Sequence, residues 1–137
     1  MAAEIDERFE AIEECYEFML AYAAQGLASD KGSESGKQVR AFLIRAVNAL
    51  TGLGESCTEA VGDGLPAFLA VLERDANDSL AALDLVLAQP AISSQLIDNL
   101  NASAHLRALL TDVFLLGEVL RTQRIAQPRP FETRKTR

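Results

Sequence analysis

The chain has 137 residues, a formal net charge of −7 and 49% hydrophobic residues, with few aromatics and no Trp. That length supports one domain with a core that needs no disulfide or metal staple, and a core of Leu, Ala, Val and Ile favours helix over an all-β fold. The acidic total disfavours nucleic acid and anionic membrane as partners of the body, and no apolar run approaches the ~18 residues of a membrane span.

The first helix is expected from about Ala3 to Leu27. Its apolar positions Ile5, Phe9, Ile12, Tyr16, Met19, Ala23 and Leu27 recur in gaps of four and three and make one stripe. Along one flank Asp6, Glu10, Glu13 and Glu17 form a like-charge column, which opposes itself by a few tenths of a kcal/mol per neighbour, roughly. Residues 28–36, rich in Ser, Gly and charge, read as a mobile connection. The second helix carries Val39, Leu43, Ala46, Leu50, Leu53, Cys57 and Val61, with a kink or close contact expected at Gly52 and Gly54. After the turn at residues 62–64, Pro66 suits the first position of a third helix with the stripe Phe68, Leu72, Ala76, Leu80, Leu83 and Leu87. Pro90 ends it. A fourth helix starts near Ala91 and runs to about Ile125, with a break near residues 101–103 left open because Asn101 and Ser103 compete with the helix for backbone hydrogen bonds.

Short links between amphipathic helices predict an all-α, antiparallel up-down-up-down four-helix bundle over residues 1–125. Residues 126–137, with two prolines and few apolar side chains, are expected as a short disordered basic tail. Val113, Phe114, Leu115, Leu116, Val119 and Leu120 cover nearly the whole circumference of the last helix. Such a helix needs cover on more than one side, so a homodimer through Leu115 and Val119 is expected, with Leu85 joining the interface.

Chemistry-bearing motifs are sparse. Gly32-Ser-Glu-Ser-Gly36-Lys37-Gln38 has one residue too few between its glycines for a phosphate-binding loop, and Gln where Ser or Thr must hold magnesium. The carboxylates of the first helix come with no Glu-x-x-His pair, so a di-metal centre is not predicted. Cys15 and Cys57 share no CxxC spacing, and the single His105 completes no zinc quartet. No metal or cofactor is expected. The cysteines read as buried thiols in a reducing compartment, and the acidic start without an apolar segment points to the cytoplasm.

If the fourth helix is continuous, Asp98, His105 and Asp112 lie seven apart along one edge, with Asn101 beside them. A carboxylate there could orient an imidazole for acid-base work or ligand binding. Ala104-His105-Leu106-Arg107 resembles the His-x-Leu-Lys-Gly segment of histidine phosphotransfer domains, which are monomeric four-helix bundles. Leu and the basic residue each come one position early, and Ala108 or Leu109 stands where the family has Gly. The resemblance implies an alternative in which His105 is the phosphorylated residue.

Charge is segregated by position. Residues 1–30 net −7 and residues 121–137 net +5. In an up-down-up-down bundle these ends share a pole, so Arg121, Arg124 and Arg129 are expected to meet Asp6, Glu10 and Glu13, each exposed pair contributing at most about 1 kcal/mol. The function expected from the whole is a non-enzymatic regulatory or adaptor module acting through protein-protein contacts. The alternative is a phosphotransfer or small-ligand bundle centred on His105.

Overall fold

A computed structural model describes residues 2–62 and 64–126. The basic tail from residue 127, Arg129 included, and the side chain of Arg124 lie outside the described residues. Six helices follow one another: α1 (Ala2–Ala23), α2 (Glu34–Leu50), α3 (Leu53–Val61), α4 (Pro66–Leu87), α5 (Ser94–Ala102) and α6 (Ala104–Ala126). No strand occurs among the described residues.

Six helices replace the expected four because two of the expected ones are divided. Thr51 turns extended after α2, and Gly52 follows at φ +80°, a left-handed conformation that suits glycine, before α3 starts. The second division is at Ser103. Its backbone is extended (ψ 147°), and its hydroxyl accepts a hydrogen bond from the Leu106 amide (3.3 Å), so a serine cap begins α6 where the chain was to continue α5.

The connection at residues 28–36 is not the free loop that its composition suggested. Ser33 caps α2 by accepting from the Gly36 amide at 2.9 Å, which explains the glycine-flanked serines without any phosphate. Asp30 is buried. Its carboxylate accepts from Arg40 (2.7 Å) and from the Ile92 amide (2.7 Å), while Arg40 also donates to the carbonyls of Leu87 and Gln89. One aspartate and one arginine thus tie the α1–α2 connection to the end of α4 and the segment before α5. The Arg40 guanidinium bonded to it holds the Asp30 carboxyl below its usual range.

Within the core, α1 packs on α2, α3, α5 and α6, and α4 packs on α2, α3, α5 and α6. α1 and α2 run antiparallel. Arg8 donates to the carbonyls of Ala49 and Thr51 at the end of α2, Glu14 pairs with Arg45 farther along, and Phe18 stacks on Phe42 at 4.4 Å. The expected stripes are largely the buried faces: Ile5, Phe9, Ile12 and Met19, then Val39, Leu43, Ala46, Leu50, Leu53 and Cys57, then Leu72, Ala76 and Leu83. Each fully buried Leu or Ile contributes about 1.5–3 kcal/mol against exposure. Tyr22, fully buried, was outside the predicted stripe; its hydroxyl donates to the Ile92 carbonyl at 2.7 Å.

Candidate functional site

α1 lies close against α2 but only loosely against α6; two hollows open on the looser seam, and a third adjoins them between α1 and α5. The middle one, about 440 Å³, lies between α1, α5 and α6 and is lined by Tyr16, Leu20, Asp98, Asn101, Arg107, Leu110 and Phe114 among others. Leu20 and Asp98 also line a neighbour of about 460 Å³ that continues to Leu27 and Ser94. Phe114 is shared with a third, about 360 Å³, which reaches Asp6, Glu10, Glu13, Glu118 and Arg121. Two groups of residues that were separate in sequence reasoning therefore line adjoining hollows.

Asp6, Glu10 and Glu13 of the α1 column are the acidic lip of the hollow shared with Arg121. Burial first, then the charges of Glu17 and Glu10, raises the Glu13 carboxyl above its ordinary value. Glu10, Glu13 and Glu17 make no ion pair among the described residues. Arg121 lines the same hollow but pairs with Glu118 on its own helix, so the expected bridge from Arg121 to Glu10 and Glu13 does not form. Its (i, i+3) partner Glu118 is a neighbour on the helix surface.

The proposed edge of Asp98, His105 and Asp112 is not assembled. That spacing assumed one continuous helix, and the break at Ser103 places Asp98 and Asn101 on α5 and the other two on α6. His105 is exposed, and its ring forms no hydrogen bond with either aspartate; its backbone carbonyl accepts from Ser79 Oγ at 3.0 Å. Asp112, two turns farther along α6, is buried against Asp75 of α4. Its Oδ2 has no hydrogen-bond partner, and burial, with Asp75 beside it, pushes its carboxyl up to about 7.

Sequence reasoning missed Asp75, because it flanks the α4 stripe and nothing local reveals which α6 residue it meets. Arg107 appeared only within the histidine segment, yet it is the cation of the middle hollow. Both cysteines are free and buried, their thiols pushed up to about 12 at Cys15 and about 11 at Cys57 by desolvation. No group of three or more His, Cys, Asp or Glu is arranged to hold a metal among the described residues, and no helix there is long and apolar enough to cross a membrane. Comparison with protein-family models, curated proteins and solved structures finds no match.

Proposed function

We propose that the protein is a non-enzymatic regulatory or adaptor module that acts through its helical surface and self-associates across the outer face of α6. One observation carries this reading. Phe114, Leu115 and Val119 stand side by side on α6 at 51%, 55% and 41% exposure, an apolar band that nothing in the described chain covers. Neighbouring exposed apolar side chains rimmed by charge mark association surfaces. Leu85, also exposed, does not belong to the band: with Asp75 opposite Asp112 on antiparallel helices, Leu85 and Leu115 are about 20 Å apart along the axis.

In this reading α1, α2, α4 and α6 are the up-down-up-down bundle, with α3 and α5 as short caps, and the antiparallel pairings of α1 with α2 and of α4 with α6 support it. The buried free thiols suit a reducing compartment such as the cytoplasm. Light scattering after size exclusion at micromolar concentration tests self-association. A dimer mass for the wild type and a monomer mass for Leu115→Glu, with the helical circular dichroism unchanged, supports it; a monomeric wild type throughout that range overturns it.

A further inference from the structure

Asp98 of α5 and Arg107 of α6 both line the middle hollow of the seam, and neither side chain forms an ion pair or hydrogen bond with a described residue. Opposite charges on one wall ordinarily close on each other. Here the break at Ser103 sets them on separate helices, so they flank the hollow without meeting. Asn101, in the same lining, is 9% exposed, and its Oδ1 is buried with no hydrogen-bond partner. A carboxamide torsion is soft, so a small rotation turns that acceptor toward a ligand. The apolar wall is Leu20, Leu110 and Phe114, two of them half exposed.

We propose that this hollow binds a small zwitterion with an apolar body, of the α-amino acid class. The ammonium donates to the Asp98 carboxylate and to Asn101 Oδ1, the carboxylate accepts from the Arg107 guanidinium, and the side chain lies on Leu20 and Phe114. A volume of about 440 Å³ is within the ordinary range for small-molecule sites. A simple anion leaves Asp98 unpaired and near its own charge, and a simple cation does the same at Arg107. Only a ligand carrying both charges satisfies both walls and the orphaned acceptor. The hollow shares Phe114 with the α6 band, but its polar groups Asp98, Asn101 and Arg107 lie outside the band and Leu115 is not among its lining residues.

Calorimetric titration of the full chain with L-phenylalanine and L-leucine tests the proposal, with phenylalanine amide and N-acetylphenylalanine as probes that each lack one charge. Both amino acids bind, and each single-charge probe binds roughly tenfold or more weakly, the loss expected for a charge-assisted hydrogen bond. In Arg107→Gln the preference for phenylalanine over its amide disappears, and in Asp98→Asn the preference over the N-acetyl form disappears. Absence of binding at millimolar ligand, or equal binding of all four probes, overturns the proposal, as does a discrimination that both variants retain.

Discussion

Single polar side chains decide how these helix ends are closed. Arg8 is the one basic residue among the eight acids of residues 1–30, and from sequence it was only an exception to that charge. In the fold it serves the end of α2, donating to the Ala49 and Thr51 carbonyls that a helix C-terminus leaves unsatisfied, and it pairs with Glu4, which also accepts from Ser56. Asp30 and Arg40 do the same at the opposite pole. Asp112 works against the fold. In the unfolded chain it ionises near 3.8, whereas in the folded chain it keeps its proton to about 7, so folding takes up a proton between those values. Its contribution therefore declines as pH rises from about 4 to 7 and is flat above. Asp112→Asn removes that decline, and urea titrations should find the variant more stable than wild type at pH 8, by about 1–2 kcal/mol after solvent screening, with the difference vanishing near pH 4. A variant less stable than wild type at pH 8 contradicts this account of the pair.

At the scale of elements, the buried stripes and the proline and glycine punctuation were readable, and the caps decided what was not. Pro66 and the stop before Pro90 bound α4 as expected. Gly52 and Ser103, by contrast, end helices outright where a kink and an open question had been assigned, because a left-handed residue and a serine cap compete with helix continuation only when the next turn has its own packing to gain. Residues 28–36 show the same limit: composition signals a loop, while the anchoring of Asp30 depends on Arg40 and Ile92, distant in sequence. Gly36 belongs to that anchor. A Cβ there would fall 1.7 Å from the Asp30 carbonyl oxygen, and that backbone is held by the Arg40 contacts. Gly36→Ala should therefore cost about 3 kcal/mol or more in denaturant unfolding, although alanine is the better helix former. An unchanged midpoint would show that the connection gives way freely.

For the molecule as a whole, two poles are fastened by side-chain hydrogen bonds, the α1–α2 side is tight, and the α1–α6 side is open. Sequence could place acids on α1 and apolar residues all round α6, but which faces stay uncovered depends on the neighbours each helix finds. That is why Asp98 and Asn101 were named for the wrong assembly, with His105, and why Leu85 was grouped with Leu115. The central claim is that the exposed band of α6 is where a second copy sits. A two-fold interface places the same residues against each other, so a photoreactive amino acid in place of Leu115 tests it most directly. Irradiation of the full chain at micromolar concentration should give a product of dimer mass, cross-linked to α6 of the second copy, while the same group in place of Leu85 gives monomer. Monomer alone from position 115, or equal dimer yields from both positions, contradicts the account.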